Sequence, residues 1–197
     1  DMDEELIELH GYSKKLNPYL HLPVQSGSDK ILKLMNRKYT KTSYLHIIDR
    51  LKNKCSDIAL SSDFIVGYPG ETRRDFQDTL DLVKEVNFAQ AYSFKYSSRV
   101  GTKSARNNLS NISNEEKNDR LQELQELLNS QQKNFNTNFV SKKVEVLVKG
   151  KGKKINQYRG TTKWMQVVNF ELSKEAKSIE NVKIIKASNN SLLGEAL

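Results

Sequence analysis

The stretch SSDFIVGYPGET at residues 61–72 decides the predicted fold of this 197-residue chain. Its continuous apolar run at 64–66 predicts a strand covered on both faces, and the two glycines that follow predict a sharp turn. Thr72, followed three residues later by Asp75, predicts the start of a helix. A buried strand that enters a helix through a glycine turn is typical of an α/β fold with a parallel sheet.

The sequence on either side repeats this alternation of strand and helix. A short apolar run at 19–24 predicts a strand, and Ser28 is suited to cap the helix after it. Thr42 or Ser43 is expected to open a second amphipathic helix, and the alternating residues 91–96 predict a further strand. We therefore predict an α/β fold class for the first part of the chain.

After residue 96 the pattern changes from α/β to all-β. Residues 97–114 predict a loop, and residues 113–139 predict a long helix. Three strand patterns separated by Gly, Lys and Asn turns then predict a small β-barrel of about 60 residues. The strand patterns lie at 143–149, 166–170 and 181–186, and the predicted domains are 1–134 and 135–197.

Charge is distributed unevenly between the two halves. The net charge is −1 over residues 1–90 and +9 over residues 91–197. Cations interleaved with Tyr158 and Trp164 favour RNA binding, because lysines grip phosphates and aromatic rings stack on bases. A lysine-rich surface with Trp164 in the barrel core explains the same pattern. The predicted RNA-binding residues are Lys149, Lys151, Lys153, Lys154, Arg159 and Lys163.

Composition limits the possible classes of site. No apolar run approaches the roughly 18 residues of a membrane span, so we expect a cytoplasmic protein. Cys55 is the one cysteine, which excludes an internal disulfide, a multi-thiolate zinc site and a self-contained iron-sulfur cluster. Because Cys55 ends an amphipathic helix pattern, we expect a buried structural thiol. No catalytic residue and no metal ligand set are predicted.

Polar residues lie within or just after two of the predicted strands. Asp63 and Glu71 belong to the quoted stretch, and Gln25 and Ser26 follow the first strand. Ligands of open α/β folds bind at the carboxyl ends of the strands, where such side chains contact hydroxyl and amine groups. The same residue types are ordinary in turns, and Arg37 could clamp a carboxylate or only neutralise a helix end.

Four longer motifs carry a resemblance to a known family. They are HLPVQSGS at 21–28, LMNRKYT at 34–40, the quoted stretch at 61–72 and YSFKYSSRVGT at 92–102. Together they closely resemble the radical S-adenosylmethionine tRNA methylthiotransferases. Gly160-Thr161 and VVNF at 167–170 resemble the terminal TRAM domain of that family, a small RNA-binding β-barrel. The resemblance covers essentially the whole chain.

The resemblance implies a fold, a reaction and a set of cofactors. It implies a partial, TIM-like radical-SAM barrel followed by TRAM, and methylthiolation at C2 of isopentenylated adenosine 37 in the tRNA anticodon loop. The family uses S-adenosylmethionine and two 4Fe-4S clusters, whose ligands are absent from this chain. We therefore expect a chain that is catalytically incomplete by itself. The alternative is a stand-alone RNA-binding protein, or a split-gene subunit that docks on a cysteine-bearing amino-terminal half.

The resemblance also implies roles for six residues. Gln25 and Ser26 match polar residues near the cofactor ribose, Arg37 matches an arginine suited to its carboxylate, and the remaining three line the cofactor site. These three are Asp63, Gly67 and Glu71. The chain departs from the family at SRVGTK, residues 98–103, where proline-rich residues are usual, and at Gly160-Thr161-Thr162, where the family has Gly-Arg-Thr.

Overall fold

The computed structural model describes residues 2–98 and 112–197. The chain divides into two compact units: Asp1–Tyr12 with Leu20–Leu128, here the α/β unit, and Ser13–Tyr19 with Asn129–Leu197, here the barrel unit. The division falls between Leu128 and Asn129, inside one helix, whereas the sequence analysis placed it at 134/135. Most of the predicted loop at 97–114, with Arg99 and Lys103, lies outside the described residues.

The α/β unit has a parallel sheet, as predicted. Its strands lie in the order β1-β2-β3, and β2 pairs in parallel with β3. The strands are β1 Tyr19–His21, β2 Ala59–Val66 and β3 Gln90–Lys95. The helices are α1 Glu4–Tyr12, α2 Asp29–Leu34, α3 Lys41–Lys54, α4 Arg73–Val86 and α5 Asn114–Thr137, and α5 continues into the barrel unit.

Local capping chemistry sets where these helices begin. Ser28 caps α2, and Thr72 forms a capping box with Asp75 at the start of α4, which confirms both predictions. The predicted start of α3 at Thr42 or Ser43 is wrong. Thr40 is the cap, and Ser43 completes its capping box from the third helical position. Helix α1 was not predicted, because Ile7 is its one buried residue and leaves little periodic signal.

Strand β2 is covered on both faces only in its first half. Phe64 and Val66 are fully buried on the face that packs against the helices, and the Phe64 ring meets Phe88 edge to face at 5.5 Å. On the opposite face Asp63 and Ile65 are half-buried. The prediction of full cover is therefore wrong for the carboxyl end of β2, where the described part of the chain leaves the sheet face open.

Gly27 packs directly on helix α4. A Cβ atom at this position would lie 2.3 Å from the Asp78 carbonyl oxygen and 2.6 Å from the Thr79 Cα atom. Backbone atoms cannot move aside as a flexible side chain does, so only glycine allows this approach. The close contact holds the turn after β1 against the middle of α4 and so positions the neighbouring Gln25 and Ser26.

The barrel unit is a closed five-stranded barrel in the order β4-β5-β6-β8-β7. The strands are β4 Lys143–Lys151, β5 Gln157–Thr161, β6 Val167–Glu171, β7 Ile179–Ala187 and β8 Leu192–Ala196. Its core includes Val146, Val168, Phe170, Val182 and Ile184, all fully buried. Strands β5 and β8 were not predicted. Each contains a glycine, at positions 160 and 194, which weakens the apolar alternation of a strand.

In the described ranges, no helix has the length and apolar content needed to span a membrane.

Candidate functional site

Gln25 lies beside the carboxyl half of β2. Its backbone N–H donates to the Asp63 carbonyl at 2.9 Å, and its carbonyl accepts from the Ile65 N–H at 2.9 Å. These bonds keep its backbone at φ 70°, a left-handed conformation that is uncommon outside glycine. The residue is 9% exposed, and its side-chain amide has no hydrogen-bond partner among the described residues. An unpaired amide in a strained backbone conformation is a typical feature of a ligand site.

Ser26 is enclosed by helix α4. The residue is fully buried, and its hydroxyl lies 3.3 Å from the Thr79 hydroxyl and accepts from the Ser28 N–H at 3.2 Å. The neighbouring Gly27 N–H donates to the same Thr79 oxygen at 2.9 Å. Ser26 therefore fastens the turn that carries Gln25, and its side chain faces the helix.

Asp63 and His21 form a polar pair on the open face of the sheet. The His21 Nε2 lies 3.5 Å from the Asp63 carboxylate, and its Nδ1 lies 3.0 Å from the Ser61 hydroxyl. The side chains of His21 and Asp63 are 40% and 29% exposed. Because Gln25 bonds to the Asp63 backbone, these residues are neighbours in space. The sequence did not predict this pair, since nothing in the spacing of His21 and Asp63 indicates that β1 and β2 are adjacent.

Glu71 forms a buried ion pair that closes the turn after β2. Arg120 Nη1 donates to the Glu71 carboxylate at 2.6 Å, and the side chains are 3% and 1% exposed, respectively. The Gly67 N–H donates to the same carboxylate oxygen at 2.8 Å. Arg120 Nη2 donates to Glu116, and Arg120 Nε is buried without a hydrogen-bond partner in the described structure. Burial raises the pKa of the Glu71 carboxyl despite these bonds.

This geometry encloses the Glu71 carboxylate. Gly67 has φ 73°, and an added Cβ would lie 2.4 Å from the Lys117 side chain, so the turn both requires glycine and packs against α5. Sequence reasoning missed Arg120, which stands at a polar position of an amphipathic helix and carries no sign of its burial.

Asp75 fastens the other side of the same turn. Its carboxylate accepts from the Ser28 hydroxyl at 2.7 Å, from Lys30 Nζ at 2.8 Å and from the Thr72 hydroxyl at 2.7 Å. Lys30 also donates to the Gly70 carbonyl at 2.8 Å. Burial acts to raise the pKa of Asp75, but the hydrogen bonds outweigh it and place that pKa well below its usual value.

Arg37 lies at the surface after α2. It is exposed, and no described contact joins its guanidinium to Gln25 or Asp63. Of the six predicted cofactor residues, the structure thus places the buried Gln25 next to the half-buried Asp63, whose carboxylate is paired with His21. The structure uses Ser26, Gly67 and Glu71 in internal contacts with helices α4 and α5. Arg37 lies at the surface without a described contact to Gln25 or Asp63.

The described residues contain no group of three or more His, Cys, Asp or Glu side chains suited to a metal ion. Cys55 caps the end of α3, and its thiol donates to the Asp57 carboxylate at 3.4 Å. The residue is half-buried rather than buried as predicted, and it packs against the edge of the hydrophobic core.

The barrel unit carries two grooves, one on each side of the β4–β5 hairpin. Their volumes are about 820 Å³ and about 630 Å³. Five of the predicted RNA-binding residues line one or both grooves, and Lys163 lies elsewhere, with its Nζ 4.4 Å from the centre of the Trp164 ring. The five are Lys149, Lys151, Lys153, Lys154 and Arg159, and Lys174, Lys177 and Lys186 join them.

The two aromatic residues of the predicted RNA site pack against the barrel core. Tyr158 stacks on Phe170 with ring centres 6.0 Å apart, and Trp164 meets Phe139 edge to face at 4.8 Å. Both are half-buried and belong to the edge of the core. Their rings therefore contribute to barrel stability.

We expect Arg120→Ala to lower the free energy of unfolding of the α/β unit by about 3–5 kcal/mol, because it leaves the Glu71 carboxylate buried and unpaired. Glu116→Gln is the matched control: Glu116 is 50% exposed, so we expect a loss of about 1 kcal/mol or less. Urea unfolding followed by far-ultraviolet circular dichroism measures both, while fluorescence of the one tryptophan, Trp164, reports on the barrel. Equal losses in the two variants would contradict the assignment.

Known proteins match this chain both in part and over its whole length. Residues 1–83 match the model of the radical SAM superfamily. All of this chain aligns with tRNA-2-methylthio-N(6)-dimethylallyladenosine synthases, at 48% identity in Erythrobacter litoralis, 51% in Rickettsia conorii and 49% in Zymomonas mobilis. It spans 44% of the length of each of these relatives. The resemblance in the sequence motifs is thereby confirmed: over its whole length the chain is similar to the carboxyl-terminal part of these synthases, and its first 83 residues match the radical SAM superfamily.

Proposed function

We propose that this chain forms one wall of the cofactor site and the RNA-binding part of an enzyme that methylthiolates C2 of N6-isopentenyladenosine 37 in tRNA. The observation that carries the proposal is the match of the entire chain, at about half identity, to synthases named for this product. A tRNA substrate also favours a cytoplasmic location. Because the chain spans 44% of those relatives, the activity needs groups that lie outside these 197 residues.

The cofactor of the family, S-adenosylmethionine, supplies radical and methyl-transfer chemistry when it is bound. The Gln25 amide and the Asp63 carboxylate beside β2 fit such a ligand, because an amide and a carboxylate can bind the two hydroxyls of a ribose. In this proposal Gln25 and Asp63 contact the ribose, and Arg37 pairs with the carboxylate of the amino acid part. Ser26, Gly67 and Glu71 determine the shape of the wall through their contacts with α4 and α5.

We expect Gln25→Ala to reduce contact between the chain and the ribose of S-adenosylmethionine. Saturation-transfer NMR of the full chain with S-adenosylmethionine measures this, and the ribose protons should lose most of their signal in the variant. Gln77→Ala is the control, because Gln77 bonds to Asp81 along helix α4 and lies outside the proposed wall. If the native chain gives no saturation transfer to the ribose protons of S-adenosylmethionine, the chain does not form this wall in the absence of the rest of the enzyme, which would contradict the proposal.

The cluster of the family does not fit the residues of this chain. A 4Fe-4S cluster is bound through several cysteine thiolates, and Cys55 is the one thiol of the sequence. That thiol is half-buried at the end of α3 and bonded to Asp57. The thiolates must therefore come from other polypeptide, either the same enzyme or, in the alternative arrangement, a cysteine-bearing subunit on which this chain docks.

Anaerobic reconstitution with iron and sulfide should load far less than one 4Fe-4S cluster per chain. Iron and sulfide analysis, together with the absorbance of the cluster, measures the outcome. Cys55→Ser should give the same result as the native chain, because we assign no cluster ligand to Cys55. A stoichiometric cluster in the native chain would overturn this part of the proposal.

The barrel unit fits an RNA-binding role of the TRAM type. The groove-lining lysines are exposed, and none of their side chains forms an ion pair with a carboxylate in the described part of the chain. Clustered cations without internal partners gain free energy by displacing the counterions of a phosphate backbone. The net charge of +9 over residues 91–197 acts in the same direction.

Lys151→Ala and Lys153→Ala should each weaken tRNA binding and make its salt dependence shallower by about 0.7 in log Kd per log salt. Lys143→Ala is the matched control, because Lys143 is exposed on β4 but does not line a groove. Fluorescence anisotropy with labelled tRNA over a series of salt concentrations measures the slopes. A native affinity that does not respond to salt would count against the grooves as the RNA site.

A further inference from the structure

Ile155 places an isolated apolar side chain in solvent at the tip of the β4–β5 hairpin. It is 92% exposed, more than the other large exposed hydrophobic residues of the described chain. It directly follows Lys153 and Lys154 in the sequence. A β-branched side chain in full contact with water contributes nothing to the barrel core. Single exposed hydrophobic residues are common, and what distinguishes Ile155 is its place in a groove lined by lysines.

The hairpin tip is held firmly despite its exposure. The Gly152 N–H donates to the Gln157 carbonyl at 2.6 Å, and the Lys153 N–H donates to the Gln157 side chain at 3.1 Å. Asn156 adopts φ 58°, and its carbonyl accepts from the Leu172 N–H at 2.9 Å. Ile155 is also restricted at its first side-chain torsion. The apolar group is thus presented on a defined support.

The lysines around Ile155 indicate that its binding partner is a polyanion. The two grooves that flank the hairpin share Lys151 and Lys154, and both grooves reach the tip. Glu175 is the one carboxylate among the residues that line them. A protein partner that covers an exposed isoleucine usually offers an apolar surface, whereas this site surrounds the isoleucine with cations.

Base stacking by the barrel's own aromatic residues is limited by their packing. Tyr158 stacks on Phe170, and Trp164 packs on Phe139. Tyr158 is also the one aromatic residue that lines either groove. The side chain at the grooves that is open to contact a nucleobase is therefore Ile155.

We infer that Ile155 is an apolar wedge that inserts between adjacent bases of a single-stranded RNA loop, while the lysines on both sides bind its phosphates. This inference rests on the proposed RNA-binding function and adds a residue and a mode of contact to it. Proteins that insert isoleucine or leucine between base steps use the same principle: the unstacked bases regain apolar contact with the side chain. The wedge would hold the loop open next to the phosphate contacts.

The test uses the full chain and a stem-loop RNA with 2-aminopurine in its loop, a base whose fluorescence rises when it is unstacked. We expect the native chain to raise the fluorescence. Ile155→Ala should abolish the rise and weaken affinity by about five- to tenfold, a size typical of one lost base contact, with an unchanged salt slope. Ile155→Trp should keep the affinity. Ile185→Ala is the matched control, because Ile185 is 42% exposed on β7 and lines neither groove.

The outcomes separate this inference from the proposed function. If the native chain binds the RNA with a normal salt slope and Ile155→Ala binds equally well, the wedge is wrong and the RNA-binding function stands. A fluorescence rise that persists in Ile155→Ala would overturn the wedge in the same way. If the native chain does not bind the RNA, the proposed RNA-binding function is wrong, and the wedge that rests on it is wrong as well.

Discussion

The buried ion pair between Glu71 and Arg120 is the contact on which the arrangement of the α/β unit depends. It joins residues 49 positions apart and connects the turn after β2 to the first half of α5. Two charges in a dry interior are costly unless they are paired, and the Gly67 N–H and Glu116 add further hydrogen bonds to this pair, while Arg120 Nε has no partner in the described structure. These contacts hold the turn that follows β2. At the end of that strand the Asp63 side chain is partly exposed, and the Asp63 backbone bonds to the buried Gln25.

The two units differ in whether their charged side chains form ion pairs. In the α/β unit the functional stretch is held by carboxylates that are paired inside the unit, as Glu71 is with Arg120 and Asp75 is with Lys30. In the barrel unit the groove lysines are left to solvent, and an apolar residue stands among them. In the proposed function, internal pairing holds the wall of the cofactor site in shape, whereas the exposed lysines of the grooves suit a large anionic ligand.

Local chemistry explains which elements were predictable. The caps at Ser28 and Thr72 and the strand at β2 were found because each is specified by residues within a few positions of one another. Helix α1 and strands β5 and β8 were missed because their stability comes from neighbours remote in the sequence. Glycines in β5 and β8 pack against other strands, so they look like turn residues until the barrel is closed.

The sequence by itself determined the fold class, the family motifs, the uneven charge and the limit set by a single cysteine, since each of these is a property of composition or of short-range pattern. Only the tertiary structure decided which polar side chains have hydrogen-bond partners within the protein. Gln25 and Ser26 are adjacent and both have neutral polar side chains, yet the Gln25 amide has no partner among the described residues while the Ser26 hydroxyl is enclosed by Thr79. The burial of Arg120 and the exposure of Ile155 were decided in the same way. Whether a side chain contacts water or protein depends on which chain segments pack together. Segments that are remote in the sequence show no local pattern that predicts their contact.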